Sequence, residues 1–447
     1  MAYLPHTETE RAAMLKAVGV SSMEDLFGAV PSAHRFPDLD LPEAVSEIEI
    51  LSELHAMSEA NVDMQHFACF LGAGAYHHFI PSVVDHILRR NEFYTAYTPY
   101  QPEISQGTLQ AVFEYQSLVC HLTGMEVSNA SHYDGATALA EAVILALNHH
   151  RGARREVVLS PAIHPHFREV VRTYMQGLDV SLRGDDILAN DSSALSKMIG
   201  PSTALVAVQY PDFLGRIEDF TRLAESAHAA GALLCVVVNP LALGMLRPPG
   251  EFGADVVVGE GQTLGIPLSF GGPYLGIFTT KNEFVRKMAG RLVGETVDSR
   301  GQRGYVLTLT PREQHIRREK ATSNICTNQG LMALAAAVYL SEMGKQGLRR
   351  VAELCYHKAH YAAEALGAVP GYRRWGEGHF FHEFVLACPR PVAEINERLL
   401  EYEILGGYDL GSVYPEMRDH MLLAVTEMNT KEEIDDLASA LKEVAHA

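Results

Sequence analysis

An unusual run of polar and aromatic side chains occupies Asn91–Gln110, NEFYTAYTPYQPEISQGTLQ. Pro99 and Pro102 disfavour a helix in this run, because proline lacks a backbone N–H and restricts the residue before it. Hydroxyl, amide and carboxylate groups of this kind can line a polar small-molecule site that a second chain completes. A proline-stiffened surface loop would have the same composition. The side chains that we predict to line the site are Tyr94, Thr95, Tyr97, Thr98, Tyr100 and Glu103.

A second candidate site lies in Asn129–Glu141, NASHYDGATALAE, where a turn of small residues leads into a predicted helix. The helix is expected to begin at Gly135–Thr137, directly after Asp134. A helix N-terminus presents free backbone N–H groups and the positive end of the helix dipole, which suit a phosphate group. Most helix starts of this kind bind nothing, so the pattern alone is weak support for a phosphate site.

The elements that would position these residues include short apolar strands that alternate with helices. Near-continuous apolar strands in such an alternation are typical of a parallel sheet that is covered on both faces. The predicted strands are Glu156–Ser160, Thr203–Tyr210, Leu233–Val238, Asp255–Val258 and Tyr274–Thr279, and the predicted helices are Gly135–His149, Pro165–Gln176 and Asp219–Ala230.

The first 60 residues show a different pattern. Thr7 and Glu10 form a capping box that predicts a short helix, and Gly19 is suited to end it. Pro42 is predicted to be the first residue of a second helix. This helix is expected to run to about residue 60 and to carry three apolar residues on one side, Ile48, Leu51 and Leu54. We therefore expect an arm and a helix without a core of their own.

After Ala321 the sequence becomes helical again, over residues 331–343 and 349–366. A strand-like stretch, His382–Ala387, and a final helix near Lys431–Ala445 follow. This mixture is typical of a smaller α+β domain. The sequence thus predicts three parts: an N-terminal arm and helix (1–60), a large α/β domain (61–320) and a small α+β C-terminal domain (321–447).

A lysine is missing from a place where one class of enzyme requires it. Ala254–Gly276 contains a strand that ends in a glycine-rich loop, which is where pyridoxal-phosphate enzymes of this architecture carry the Schiff-base lysine. The chain has nine lysines, and none lies between Lys197 and Lys281. Asn239 follows Leu233–Val238, where such enzymes place an aspartate that pairs with the pyridine nitrogen, and an amide cannot replace that carboxylate.

A basic patch occupies Arg312–Gln329, REQHIRREKATSNICTNQ, in an otherwise acidic chain. Its charged members are Arg312, Arg317, Arg318 and Lys320. The patch is either a solvated or ion-paired junction between domains, or a surface that recognises an anion or an acidic partner.

The composition excludes several classes of function. A formal net charge of -19 argues against binding to nucleic acid or anionic membranes. The six cysteines form no CxxC pair, and adjacent histidines such as His77–His78 lack metal-ligand spacing, so we predict no metal site. The sequence has neither an apolar run of about 20 residues nor a signal-peptide pattern. These features predict a soluble, cytoplasmic protein with reduced thiols.

Six stretches of the sequence resemble the glycine cleavage system P-protein family, in the form of its subunit 1, the alpha or N-terminal half of glycine decarboxylase. The stretches keep the family's order from residue 3 to about 330, and the likeness is looser beyond residue 340. FYTAYTPYQPEISQGTLQ and KATSNICTNQ are the most specific of them. The matching stretches are YLPHTETERAAML with SSMEDLF, FLGAGAYHHFIPSVVDHI, FYTAYTPYQPEISQGTLQAVFEYQS, NASHYDGATALAEA, SFGGPYLG and REQHIRREKATSNICTNQ.

The resemblance implies an α/β fold: a type I pyridoxal-phosphate-dependent transferase-like large domain with a mainly parallel sheet, and a smaller α+β C-terminal domain. In the two-chain form, subunit 2 carries the cofactor lysine, and subunit 1 is a diverged copy without it. The two subunits are expected to form an α2β2 heterotetramer with the active site at their interface. The complex is expected to decarboxylate glycine, release CO2 and transfer the aminomethyl group to the lipoyl arm of H-protein.

On this interpretation the chain holds no covalent cofactor, and pyridoxal phosphate is bound by subunit 2. Its own cofactor pocket is expected to be diverged, with Gln262 or Thr263 near the place of the lysine. The remaining members of that diverged pocket would be Asp134, Gly135, Thr137 and Asn239. The segment around Tyr97 would complete the interfacial site, and the basic patch near Arg317 would be a weaker candidate for docking H-protein.

Two alternatives remain open from the sequence. One is a stand-alone pyridoxal-phosphate enzyme that uses a distant lysine such as Lys281 or Lys320. The other is a purely structural scaffold that stabilises subunit 2.

Overall fold

The computed structural model describes residues 6–446 of the chain, except for the side chain of His446. The chain divides into two compact units, Met1–Val62 and Asp63–Ala447. The helices, in chain order, are α1 Glu8–Val18, α2 Glu47–Glu59, α3 Ser82–Leu88, α4 Asn91–Tyr94, α5 Gln106–Thr123, α6 Gly135–His149, α7 Pro165–Met175, α8 Ser192–Met198, α9 Thr221–Ala229, α10 Gln314–Arg317, α11 Gly330–Gly367, α12 Val392–Leu399 and α13 Lys431–His446.

The strands are short, and most of them lie in the second unit's two larger sheets. They are β1 Ala68–Cys69, β2 Val127–Ser128, β3 Glu156–Leu159, β4 Ser181–Arg183, β5 Thr203–Tyr210, β6 Leu233–Val238, β7 Val256–Glu260, β8 Gly276–Thr280, β9 Leu292–Val297, β10 Arg303–Thr308, β11 Arg373–Arg374, β12 Glu383–Ala387, β13 Ile404–Leu405, β14 Tyr408–Asp409 and β15 His420–Ala424.

The first unit consists of two capped helices and irregular chain. The predicted capping box of Thr7 and Glu10 is present in α1, and Gly19 ends that helix in the left-handed conformation. The prediction for Pro42 is wrong, because α2 begins at Glu47 behind a second capping box, in which Ser46 is the N-cap and Glu49 the reciprocal partner. No residue in the range 6–62 is buried, so this unit has no core.

The second unit is built on a seven-stranded sheet of order β2-β8-β7-β6-β5-β3-β4. The strands β4, β3, β5, β6 and β7 run parallel, as predicted from their apolar runs. β8 differs, since it runs antiparallel to both β7 and β2. Apolar cores cover both faces of this sheet: α6 and α7 pack on one face, and α9 packs on the other.

A smaller antiparallel sheet of order β11-β12-β15-β14 lies nearer the C-terminus. α12, α13 and the last turns of α11 cover it with a separate apolar core. α11 contains the two helices predicted at 331–343 and 349–366, which meet at a kink at Gly344. Its first part packs with residues of the larger domain instead, including Leu241 and Leu264. The predicted domain boundary at residue 320 stays a prediction.

Among residues 6–446, none of the helices combines the length and apolar character that crossing a membrane requires.

Candidate functional site

The tyrosine-rich segment leaves helix α4 and runs irregularly before a short 3-10 turn at Pro102–Ile104. Residues 95–101 are not helical, as expected from the two prolines. The hydroxyl group of Thr95 donates a 2.8 Å hydrogen bond to the carbonyl oxygen of Asn91, which ties Thr95 to the end of α4. The backbone N–H of Tyr100 donates to Thr98 O, which forms a tight turn.

Three of the predicted site residues, Tyr94, Tyr97 and Thr98, line one open cleft of about 230 Å³. The opposite wall comes from the start of α11 and the residues before it, including Thr327 and Asn328. Tyr97 is 87% exposed and Tyr94 is 65% exposed, so two large aromatic rings stand free at the rim. Exposed aromatic groups beside polar ones are typical of a surface that another molecule covers.

Tyr100 lies outside this cleft and contacts a buried arginine. Nη2 of Arg291 donates a 3.1 Å hydrogen bond to the Tyr100 hydroxyl oxygen, and the guanidinium carbon lies 5.6 Å from the ring centroid. Arg291 also contacts Asn328, through a 3.5 Å hydrogen bond, and Glu313, whose carboxylate lies 3.8 Å from Nε. Arg291 thereby connects Tyr100 to both ends of the Arg312–Gln329 stretch that the sequence singled out.

The predicted residue Glu103 is exposed and belongs to the turn at Pro102–Ile104. The structure therefore brings Tyr94, Tyr97 and Thr98 together, while Thr95 and Glu103 lie outside the cleft. Gln106 fixes the end of the segment, because its side chain exchanges hydrogen bonds with the backbone N–H and carbonyl of Tyr305.

The KATSNICTNQ segment is held to the large domain by three hydrogen bonds. The hydroxyl group of Ser323 donates to Glu141 at 2.6 Å, Cys326 N donates to the Tyr133 hydroxyl oxygen, and Gln329 N donates to the Ser131 hydroxyl oxygen. Burial raises the pKa of Glu141 to about 7, although the bond from Ser323 opposes this shift. The segment is thus anchored at both ends beside the cleft.

The predicted basic patch separates into two parts. Arg312 points inward and donates to the carbonyl oxygens of Met288, Gly290 and Leu309, so it clamps backbone and is not a docking residue. The other three basic residues are exposed, namely Arg317, Arg318 and Lys320. The reason for the difference is that Arg312 precedes α10, whereas the others lie at its end and after it.

Asn239 and Thr263, two of the residues predicted for a diverged cofactor pocket, lie at the carboxyl ends of β6 and β7, which is the usual ligand edge of such a sheet. Asn239 and Thr263 line a cavity there of about 30 Å³, which has room for one or two water molecules. Within residues 6–446, Asn239 Nδ2 and Thr263 Oγ1 have no hydrogen-bond partner. Gln262, the other candidate for the lysine's place, is fixed by hydrogen bonds to backbone atoms of Tyr76 and Ile266.

Groups of the chain itself already accept from several N–H groups at the N-terminus of α6. Asp134 and Thr137 cap each other, since Thr137 N donates to Asp134 at 2.7 Å and Asp134 N donates to the Thr137 hydroxyl oxygen. Gly135 N donates to Oε2 of Glu260 at 3.0 Å. A Cβ atom at Gly135 would lie 2.7 Å from the Phe167 ring, which shows how closely that ring covers the helix start.

These residues do not fit pyridoxal phosphate. The Glu260 carboxyl group takes the N–H that a phosphate would use, and Phe167 covers the start of the helix. The remaining cavity is about 30 Å³, and no lysine lies near it in sequence. Burial raises the pKa of Glu260 to about 8, while the N–H groups of Leu275, Gly135 and Gln262 act in the opposite direction.

A buried polar cluster elsewhere, formed by His78, Cys355 and Glu427, has the composition of a metal site. Its groups already bond to one another, because His78 Nδ1 lies 2.7 Å and Cys355 Sγ 3.3 Å from the same Glu427 oxygen. Burial opposes ionisation of Glu427, but the hydrogen bonds from His78 and from Phe79 N lower its pKa to about 2. The cluster is therefore a buried hydrogen-bonded network centred on the Glu427 carboxylate.

Sequence reasoning missed Arg291, Glu260 and Phe167. Arg291 lies between Gly290 and the start of β9, and its partner Tyr100 is 191 positions away, so no local pattern marks it. Glu260 could be identified in part from the sequence, because a carboxylate at the end of a buried strand requires hydrogen-bond donors.

Comparison with known proteins gives a consistent result over the whole length. The family model described as "Glycine cleavage system P-protein" matches residues 1–441. A Thermomicrobium roseum protein named "Probable glycine dehydrogenase (decarboxylating) subunit 1" is 58% identical over 446 residues, 99% of each chain. A Geobacillus kaustophilus protein of the same name is 54% identical over 442 residues, 98% of each chain.

Comparison with solved structures agrees with these sequence matches. The crystal structure of "glycine decarboxylase (P-protein) of the glycine cleavage system, in inhibitor-bound form" has a TM-score of 0.89 at 45% identity, covering 99% of this chain and 100% of that chain. Lactobacillus brevis glutamate decarboxylase has a TM-score of 0.68 at 14% identity, covering 94% and 98% of the two chains, and so shares the fold alone. These structures confirm the predicted fold of type I pyridoxal-phosphate enzymes.

Proposed function

Because the chain belongs to the glycine cleavage system P-protein family, we propose that it is the subunit of a two-chain glycine decarboxylase that holds no cofactor of its own. Subunit 2 supplies the cofactor lysine, and the two chains assemble as an α2β2 heterotetramer. One observation carries the proposal: the predicted pocket of this chain leaves a cavity of only about 30 Å³, while Tyr94 and Tyr97 stand exposed at a cleft of their own.

The chemistry divides between the two subunits. Bound by subunit 2, pyridoxal phosphate would supply the electron sink for the loss of CO2 from glycine. Tyr94, Tyr97 and Thr98 cover the reacting glycine, orient it and exclude water. Glu103 and Thr95 belong to the same segment and border this surface. The opening left beside the rings admits the lipoyl arm of H-protein, which receives the aminomethyl group.

The exposed basic residues are the candidate docking surface for H-protein. Arg317, Arg318 and Lys320 are exposed together in a chain of net charge -19. A positive patch of this kind favours an acidic partner and accelerates its approach at low ionic strength.

Reconstitution tests the proposal directly. The purified chain should show no absorbance of bound pyridoxal phosphate and no exchange of the glycine carboxyl group with bicarbonate. Subunit 2 alone should have little activity, and mixing the two should restore it. Covalent retention of pyridoxal phosphate by this chain alone would contradict the proposal.

A site substitution distinguishes a shared active site from a scaffold. In the assembled complex, Tyr97→Phe should lower kcat/KM for glycine about 10-fold, which is the usual scale for one hydrogen bond in a closed site. Tyr402→Phe is the matched control, because that tyrosine is also exposed but bonds to Glu443, far from the cleft in sequence. Unchanged turnover in substitutions of Tyr94, Tyr97 and Thr98, with intact assembly, would favour the scaffold.

The stand-alone alternative has less support. Lys281 Nζ lies 2.5 Å from Asp255, so this lysine is held in an ion pair. Borohydride trapping and peptide mapping would reveal any lysine, including Lys320, that bonds covalently to the cofactor.

A further inference from the structure

The hydrogen bond between Arg291 and Tyr100 has a fixed direction. A guanidinium group has only donors, so the Tyr100 oxygen must accept the 3.1 Å bond from Nη2. The hydrogen of the Tyr100 hydroxyl group is therefore free to be donated elsewhere. Tyr100 is 51% exposed, so this hydrogen is accessible to a group that arrives from outside the chain.

Arg291 is held rigidly enough to impose that direction. Arg291 is only 4% exposed. Its guanidinium group lies against the Tyr100 ring, with 5.6 Å between Cζ and the ring centroid. Asn328 accepts from Nη1 at 3.5 Å, and the Glu313 carboxylate lies 3.8 Å from Nε. Three residues from two segments thus contact one guanidinium group, and a side chain this buried has little rotamer freedom.

We propose that Arg291 is a positioning residue that makes Tyr100 a one-directional hydrogen-bond donor to an anionic oxygen, a carboxylate or a phosphate, in the shared active site. The acceptor is anionic because the guanidinium group donates to the hydroxyl oxygen, which polarises the hydroxyl group and strengthens its donation to negative oxygen. Asn328, which also lines the cleft of Tyr94 and Tyr97, places this donor beside the proposed site. The inference rests on the proposed function.

The reconstituted complex of this chain and subunit 2 allows the test. Arg291→Gln removes the positive charge and the planar set of guanidinium N–H donors, whereas Arg291→Lys keeps the positive charge alone. Tyr100→Phe removes the hydroxyl group from an exposed side chain. The readouts are KM for glycine, kcat for carboxyl exchange, and the retention of pyridoxal phosphate on dilution. The matched control is Arg303→Gln, since Arg303 also lies over a tyrosine ring, that of Tyr305, at 5.9 Å.

We expect Tyr100→Phe and Arg291→Gln each to weaken binding roughly 10- to 100-fold, as for a hydrogen bond to a charged group. A higher KM for glycine identifies a carboxylate acceptor, and faster loss of pyridoxal phosphate identifies a phosphate acceptor. Arg291→Lys should be intermediate, and the double variant should be no worse than the worse single variant, because Arg291 acts through Tyr100.

Effects that multiply in the double variant would overturn the inference, as would unchanged glycine and cofactor binding in Tyr100→Phe. If Arg291→Gln does not fold, Tyr100→Phe still decides the matter. Failure of the proposed function would give a different result. Tyr97→Phe would then also leave kcat/KM for glycine unchanged, and subunit 2 would be fully active alone.

Discussion

Three backbone N–H groups converge on the carboxyl group of Glu260. Gly135 N donates at 3.0 Å to one oxygen, and Gln262 N and Leu275 N donate at 3.2 and 3.0 Å to the other. In an enzyme that binds the cofactor, a ligand would satisfy the helix N–H, whereas here a side chain of the same chain does so. The carboxyl group is therefore part of the fold and not a spare acid.

Substitution of Glu260 should separate this structural role from a role in binding. Glu260→Ala leaves three N–H donors without an acceptor and should lower the free energy of unfolding by about 2–4 kcal/mol. Glu260→Gln keeps one carbonyl oxygen and should cost about 1 kcal/mol. Urea unfolding of the purified chain measures both. Equal stability of Glu260→Ala and wild type would show that the N–H groups do not depend on this carboxyl group.

The site residues were predictable from sequence only in part. Tyr94, Tyr97 and Thr98 share a short segment, so their common location in a cleft follows from local composition. Arg291 and Asn328 reach the same region through tertiary packing. Asn328 lies in the KATSNICTNQ stretch that the sequence singled out, whereas no local pattern indicates Arg291. That all five serve one active site remains a prediction.

At the scale of elements, α11 depends on one glycine. Gly344 adopts φ 57 and ψ -176 in the middle of an otherwise regular helix, a conformation that side chains with a Cβ rarely adopt. An added Cβ would meet no atom within 4 Å, so any cost of substitution arises from the backbone alone. The break lets the first part of α11 pack with the large domain and the last turns with the small sheet.

Gly344→Ala should therefore lower the free energy of unfolding by about 1–3 kcal/mol. Gly347→Ala is the matched control, since Gly347 is helical and its Cβ would meet only the flexible Met343 side chain, at 3.3 Å and beyond. The control should be neutral or stabilising by up to about 1 kcal/mol. Thermal or urea unfolding compares them, and a stabilising Gly344→Ala would mean that the break is not required.

The sequence predicted β3, β5 and β6 well because each is a continuous apolar run between turn residues. It did not predict the direction of β8, because a strand buried on both faces has the same composition whether its neighbour is parallel or antiparallel. The start of α2 was misplaced because Pro42 and Ser46 both offer N-terminal signals, and the capping box at Ser46 satisfies more N–H groups.

At the scale of the whole molecule, buried titratable groups set how stability depends on pH. Burial raises the pKa of Glu141 and Glu383 to about 7 and that of Glu260 to about 8. The folded chain therefore retains protons that the unfolded chain loses above its ordinary carboxyl pKa, so stability falls as pH rises towards 8. Burial lowers the pKa of His132 and His164 to about 4, so stability also falls as pH drops from about 6.5 to 4.

The isolated chain should consequently be most stable near pH 5–6.5. Melting temperatures in buffers of equal ionic strength between pH 4.5 and 8.5 measure this. Glu141→Gln should make the alkaline decrease shallower, because it removes one of the three acids while its amide oxygen still accepts from Ser323. A melting temperature that rises steadily from pH 6 to 8.5 would contradict the assignment of buried, protonated carboxyl groups.

The N-terminal unit gives the last argument at this scale. Ile48, Leu51 and Leu54 follow one side of α2 and are 78%, 59% and 55% exposed, and their own unit has no core for them to join. Burying a leucine on association contributes about 1.5–3 kcal/mol, and an amphipathic helix without a core is suited to pack on another subunit.

Replacing Leu51 and Leu54 with Gln should leave the melting temperature of the isolated chain unchanged but weaken binding to subunit 2 at least 10-fold. Glu53→Gln, on the opposite side of α2, is the control, and sedimentation or titration of the two purified subunits provides the measurement. Undiminished affinity of the double variant would exclude this helix side from the subunit interface.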